Sequence, residues 1–233
     1  MTGTDSRIPS LNRRTALAGL GAATVGLVAK PSLILAQTPD VIRIGHLTPR
    51  TGFLGPLGEY AVMAVDLAVE EINAAGGVMG RKIEALKEDS VNPQTASTKA
   101  ERMVERDKVI AIVGEISSAS CLTIAQVAER TKTLFINTGG NSDALRGKDC
   151  KKFMFHIESQ NSMYVKTAGR SLMQQGLISD KKIYSLTADY AFGHDLTSVA
   201  KRFMAANKGT LIGDELVPTD ATDFSAYLLK IRN

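Results

Sequence analysis

Val109-Ile110-Ala111-Ile112-Val113-Gly114-Glu115-Ile116-Ser117-Ser118-Ala119-Ser120 decides the fold. The unbroken apolar run from Val109 to Val113 reads as a strand of a parallel sheet covered on both faces. The glycine and serines after it open a helix, expected over Ser118 to Arg130. Upstream, Pro93 to Arg106 places Ala96, Ala100, Met103 and Val104 on one helical face, and Lys82 to Lys87 reads as the strand before it. Downstream, Leu134 to Asn137 is a further strand. Upstream again, Val41 to Leu47 alternates as a strand does, and Thr48 to Gly58, with Gly52, Gly55, Gly58, Pro49 and Pro56, reads as a loop. A helix follows from Glu59 to Ala75, with Val62, Val65, Val69 and Ile72 at helical spacing and Gly76-Gly77 as its C-terminal stop. Strands alternating with helices imply parallel pairing through right-handed crossovers, hence an open α/β sheet.

The same beat continues with Lys152 to Ile157 as a strand and Asn161 to Gln175 as a helix. Then Ile183 to Leu186, His194 to Ala206 and Thr210 to Val217 supply strand, helix and strand. It restarts after Ser159, so residues 37–158 are expected to form one α/β lobe and residues 159–233 part of a second. The chain stops at Asn233, within a helix begun near Asp223, which leaves the second lobe incomplete.

The 233 residues are 44% hydrophobic and 22% charged, with 7 prolines and 20 glycines, a balance that excludes disordered, collagen-like and coiled-coil classes. The formal net charge is +4, but Arg7, Arg13, Arg14 and Lys30 against Asp5 put +3 of it in the first 36 residues, leaving +1 on the rest. A near-neutral body has no electrostatic footprint for nucleic acid. In the first 36 residues, Arg13-Arg14 precede a mildly apolar run from Ala16 to Ala29, too short for a membrane span. This is the layout of an export signal, twin-arginine in character, with Ala16 where that pattern favours Phe, so that Sec export stays open. Cleavage after Ala36 would place the body in the periplasm, where Cys121 and Cys150 could pair or stay free.

Ligands of open α/β sheets gather beyond the carboxyl ends of the strands. Four loops qualify: Thr48 to Gly58, Gly114 to Ser118, Thr138 to Asp143, and Ala188 to Gly193. In the second, Ser118 can cap the helix whose N–H groups, at the positive end of the dipole, form a carboxylate site; a bare cap would explain the same serines. In the third, Gly139, Gly140 and Asn141 let backbone groups approach a small ligand, with carbonyls open to an ammonium group, although a turn needs no ligand. The fourth offers Tyr190 and Phe192 as covering rings, or as packing. Enzyme readings find no G-x-S-x-G elbow, P-loop or dinucleotide fingerprint, and His46, His156 and His194 share no metal-ligand spacing with the cysteines.

Ile44 to Gly52, the helix end Glu71-Ile72-Asn73-Ala74-Ala75-Gly76-Gly77-Val78-Met79-Gly80-Arg81, and Asp189-Tyr190-Ala191-Phe192-Gly193 together resemble the leucine/isoleucine/valine-binding family of periplasmic substrate-binding proteins of ABC importers. The resemblance implies a type I periplasmic-binding fold: two lobes of parallel sheet flanked by helices, closing on a ligand without chemistry or cofactor. It places the family's carboxylate-binding serine on Ser118, with Ala119 beside it, and the ammonium-binding loop on Gly139, Gly140 and Asn141. The closing aromatic falls on Phe192, with Tyr190 nearby. Two positions depart: Leu57 stands near the first-loop aromatic, and Asn141 where threonine is usual. The resemblance implies a small carboxylated ligand, such as an amino acid, and an inner-membrane permease as partner. Relatives of this type also bind amides, urea and aromatic acids, and a sensor domain serving a signalling partner is the competing reading.

Overall fold

The computed structural model describes residues 41 to 232. The export-signal reading of residues 1–36 lies outside the described residues. The first lobe runs β1 (Ile42–Thr48), α1 (Gly55–Ala74), β2 (Ile83–Asp89), α2 (Pro93–Glu105), β3 (Ala111–Gly114), α3 (Ser118–Thr131), β4 (Leu134–Asn137), a 3-10 turn (Asp143–Leu145) and β5 (Met154–His156). Its five strands are all parallel in the order β2-β1-β3-β4-β5. The register aligns Gly45 with Ile112 and Ile112 with Phe135. The chain leaves β1 toward one edge and later moves toward the other, so the topological switch lies between β1 and β3, where the loops splay apart and leave a crevice.

The core lies between the sheet and the pair α2 and α3. Leu47, Ala96, Ala100, Met103, Ile112, Ile124 and Phe135 are fully buried there. Small residues on α2 let that helix approach the sheet closely, and its amino end is capped by Asn92, whose side chain accepts from Thr95 N at 2.8 Å. The turn from α1 into β2 is fixed by Asn73. Its side chain donates to Ile83 O at 2.9 Å and accepts from Ile83 N at 2.8 Å, a two-point clamp on the start of the strand.

Several expected element bounds need correction, among them β5, which spans Met154–His156 rather than residues 152–157. α1 begins at Gly55, four residues before the expected start, so Pro56 and Gly58 belong to its first turn. Pro56 has the fixed φ that a first turn needs. Gly58 is there because the turn backs onto the preceding loop: a Cβ at that position would stand 1.5 Å from Pro49 O. β3 begins at Ala111, two residues later than expected. Ile110 is 64% exposed and contributes a single bond at the sheet's entry, from its N–H to Arg43 O at 2.9 Å. Cover on both faces is therefore complete for Ile112, while Val113 is only half-buried.

The second lobe carries α4 (Asn161–Gln174), β6 (Lys182–Ala188), α5 (Ala191–Ala206), β7 (Thr210–Val217) and α6 (Ser225–Arg232). β6 and β7 pair in parallel, with an irregularity between Ile183 and Tyr184. α4 and α5 pack together through Gly169, which lies against the Phe203 ring. α5 begins at Ala191, three residues before the expected start, so most of the aromatic loop is the first turn of a helix.

The crossover between the lobes is held tightly. Arg146 Nη2 donates to His156 O at 2.7 Å and to Glu158 O at 2.9 Å, and Asn141 Nδ2 donates to Ser159 O at 2.8 Å. These bonds satisfy the carbonyl at the end of β5 and those of Glu158 and Ser159, which lie in neither sheet, as a connection passing between two domains requires.

Candidate functional site

A cleft of about 500 Å³ opens beyond the carboxyl ends of β1, β2 and β3, at the switch point. The first lobe lines it with the loop around Pro49, Thr51 and Phe53, with Ser90 to Pro93, and with Ser117, Ala119 and Ser120 at the amino end of α3. The second lobe contributes Tyr190, Thr219 and Asp220. None of the described residues lining it is basic. A carboxylate in this cleft would therefore be met by hydroxyl groups and by the positive end of the α3 dipole.

Local folding explains how these groups are aimed. Ser117, not Ser118, is the N-cap of α3; its hydroxyl accepts from Ser120 N at 3.4 Å. That corrects the capping expectation for Ser118, whose hydroxyl points elsewhere. Ser118 is fully buried, and its Oγ accepts from Asn141 N and Ser142 N, each at 3.1 Å. The serine thus ties the third loop to the first turn of α3.

The third loop is wound about Asn137. Asn137 Oδ1 accepts from Gly139 N at 3.1 Å and Gly140 N at 2.8 Å, and its Nδ2 donates to Gly140 O at 2.9 Å. The Cys121 thiol donates to Asn137 Oδ1 at 3.3 Å, and a Cβ on Gly140 would sit 2.4 Å from that sulfur. Asn141 O accepts from Asn161 N at 2.8 Å. The carbonyls of Gly140 and Asn141 are therefore engaged inside the protein. Cys121 is buried and Cys150 exposed, and both are free thiols.

Of the expected residues, Ala119 and Tyr190 line the cleft, while Ser118, Gly139, Gly140 and Asn141 form the layer behind it. Phe192 stacks on Tyr190, with ring centroids 5.9 Å apart, and supports that ring from behind.

Two carboxylates that sequence reasoning missed hold loops that border the cleft. Asp89, the last residue of β2, accepts from Arg50 N at 2.9 Å, Thr51 Oγ1 at 2.6 Å and Val91 N at 3.0 Å. It joins the first loop to the second. Burial pushes its pKa upward, but the Arg50 N–H, the Thr51 hydroxyl and the Val91 N–H outweigh burial and hold it below the ordinary value. Its position at a strand's carboxyl end, just before Ser90-Val91-Asn92-Pro93, was the available signal.

Glu115 is the second. It is fully buried at φ 138°, a conformation that non-glycine residues rarely adopt and that tends to accompany function. Its Oε1 accepts from Ile116 N at 3.0 Å and Ser117 N at 2.9 Å, while Oε2 has no hydrogen-bond partner. Burial raises its pKa to about 7. A lone acid following a glycine at the end of a buried strand was its only mark in the sequence.

An open parallel sheet whose switch-point loops face a second α/β lobe across a cleft defines the class of two-lobed periplasmic-binding folds. The chain belongs to the periplasmic binding protein family, whose profile matches residues 41–233. Among curated relatives, Leu/Ile/Val-binding protein homolog 8 of Brucella abortus is 27% identical over 216 residues, covering 90% of this chain and 53% of the relative. Among solved structures, a periplasmic binding protein of Burkholderia mallei aligns with a TM-score of 0.76 at 31% identity, covering 83% of this chain and 51% of that one. A branched-chain amino acid transporter substrate-binding protein of Streptococcus pneumoniae, in complex with isoleucine, aligns at 0.72 and 28% identity over 83% of this chain and 54% of that one. A solute-binding protein of an ABC transporter from R. palustris, in complex with benzoate, shares the fold at 0.75 and 23% identity, covering 82% of this chain and 52% of that one. The chain spans about half the length of the curated relatives it matches.

Proposed function

We propose that this protein is the solute-binding component of an ABC importer, capturing a small carboxylated metabolite, an amino acid of the branched-chain type, and passing it to a membrane permease. The observation that carries this reading is the cleft itself: hydroxyls and a helix amino terminus facing apolar walls, with no basic side chain among the described residues lining it. That combination suits a ligand whose carboxylate is met by dipoles and whose side chain is apolar. Asp220, on the second lobe's side, offers a carboxylate for the ligand's ammonium group. The Streptococcus pneumoniae relative bound to isoleucine agrees with this assignment.

On this reading the leader of residues 1–36 delivers the protein to the periplasm, residues 37–158 and 159–233 belong to separate lobes, and the ligand leaves chemically unchanged. Selectivity comes from the ligand's differential affinity for open and closed arrangements of the lobes. Ser118, Gly139, Gly140 and Asn141 act from behind the cleft wall, keeping the amino end of α3 and the third loop in fixed relation. Ala119 and Tyr190 face the ligand, with Phe192 bracing Tyr190. A second reading, an aromatic carboxylate as ligand, draws on the Phe53 and Tyr190 rings, which both line the cleft.

Ser118→Ala tests the inner layer. It removes the acceptor shared by two backbone N–H groups. An unsatisfied buried donor costs about 1–3 kcal/mol, so isoleucine affinity measured by calorimetry is expected to fall by about tenfold or more, with a lowered melting temperature. Unchanged affinity would remove Ser118 from the site.

A further inference from the structure

The hydrogen bonds that leave the site loop do not stop within the first lobe. Asp143, two residues beyond Asn141, donates its backbone N–H to Asp195 Oδ2 at 2.8 Å, and Asp195 lies on α5 of the second lobe. The same oxygen accepts from Asn161 Nδ2 at 2.8 Å. Asn161 is fully buried at the start of α4, and its Nδ2 also donates to Phe192 O at 3.0 Å. Asp143 reciprocates across the boundary, its Oδ1 accepting from Ser162 N at 3.0 Å. With Ser118 holding Asn141 N and Ser142 N, an unbroken series of hydrogen bonds runs from the first turn of α3, at the cleft wall, to the first turn of α5, which carries the Tyr190 and Phe192 rings.

We infer that Asp195 is a positioning residue for the binding site: its carboxylate latches the first lobe's site loop to the second lobe and sets the resting separation of the two cleft walls. The inference rests on the binding-protein reading for its effect on affinity but not for the latch. A carboxylate oxygen is the natural part for this position, because it accepts two donors from two different elements at once, and bonds to a charged acceptor are the stronger kind. Both donors are neutral amides. The arrangement therefore persists only while Asp143 N and Asn161 Nδ2 are both in place, and either lobe moving away breaks at least one bond. Loss of the latch lowers the fraction of molecules with the cleft narrowed, and apparent affinity falls in proportion to that fraction.

Spin labels at Glu129→Cys on α3 and Arg202→Cys on α5, both exposed sites, in a Cys150→Ser background, report the lobe separation by double electron–electron resonance without any ligand. In the full chain, Asp195→Ala is expected to broaden the distance distribution and lengthen its mean, and to weaken isoleucine binding by about tenfold. Asp195→Asn keeps an oxygen in place and is expected to restore both to within about twofold of the original. Asp143→Pro attacks the same bond from the other side. The position takes proline because it opens the 3-10 turn and Ser142 before it has φ −59° and ψ 132°. It should reproduce the Asp195→Ala distances, and it serves if that variant does not fold. Distances unchanged in both variants would overturn the latch. Failure of the unsubstituted protein to bind isoleucine, with the distances still shifted by Asp195→Ala, would instead count against the binding reading and leave the latch standing.

Discussion

Gly58→Ala is expected to lower stability by about 3 kcal/mol and to abolish tight ligand binding. A methyl group at this position would stand 1.5 Å from Pro49 O and 2.6 Å from Pro49 C, and backbone atoms cannot swing aside as a side-chain tip can. Either the first turn of α1 unwinds or the loop from Pro49 to Leu54 is displaced, and overpacking of this kind costs about 1–3 kcal/mol, at times more. That loop is also one wall of the cleft, held to Asp89 through Arg50 N and Thr51 Oγ1. Stability and binding should therefore fail together. Urea denaturation, with the slope unchanged and the midpoint lowered, checks the first effect; a midpoint equal to that of the unsubstituted protein would show that the helix does not back onto Pro49.

Glu115→Gln is expected to act in the opposite direction, stabilising the protein at pH 8 by up to about 3 kcal/mol while leaving it nearly unchanged at pH 4. The folded protein holds the Glu115 proton up to about pH 7, whereas an ordinary glutamate releases it near 4.5. Between those values the native state binds more protons than the unfolded one, so stability falls as pH rises. The fall amounts to about 1.4 kcal/mol per unit, accumulates from about pH 4.5 and levels off above about 7. Glutamine removes the titration yet retains an oxygen for Ile116 N and Ser117 N. Denaturation midpoints at pH 5 and pH 8 give the test: parallel behaviour of the two proteins would mean that Glu115 does not titrate in this window.

Both predictions arise where sequence and structure part company. Leu134–Asn137 and Thr210–Val217 were legible to the residue, because both strands are bounded by loops that mark their ends. The starts of α1 and α5 were not. Glycine and proline at Gly55, Pro56 and Gly58 read locally as loop, and only the Pro49 carbonyl beside them explains why a helix needs them. The locations of the site loops followed from the open-sheet rule alone: three of the four expected loops border the cleft and the fourth braces it through Asn141 and Ser118. The division between cleft-facing and supporting residues did not follow. Ser117 and Ser118 are adjacent and chemically identical, yet one caps α3 and lines the cleft while the other turns inward to the third loop. That distinction depends on where Asn141 N arrives, 23 residues further along the chain. Asp89 was missed for the same reason, since Arg50 N and Thr51 Oγ1 reach it only when β1 and β2 align.

Capture of a carboxylate at the amino end of α3 is the central claim, and paired calorimetric titrations with isoleucine and with isoleucine methyl ester test it most directly. The account predicts saturable one-to-one binding of the free acid, with a dissociation constant of about 1 µM or lower, equivalent to about 8 kcal/mol or more. The ester, which lacks the anionic oxygen, should bind at least about a hundredfold more weakly. Equal affinity for acid and ester would contradict the account, because the helix amino terminus and its hydroxyls would then have no part in recognition.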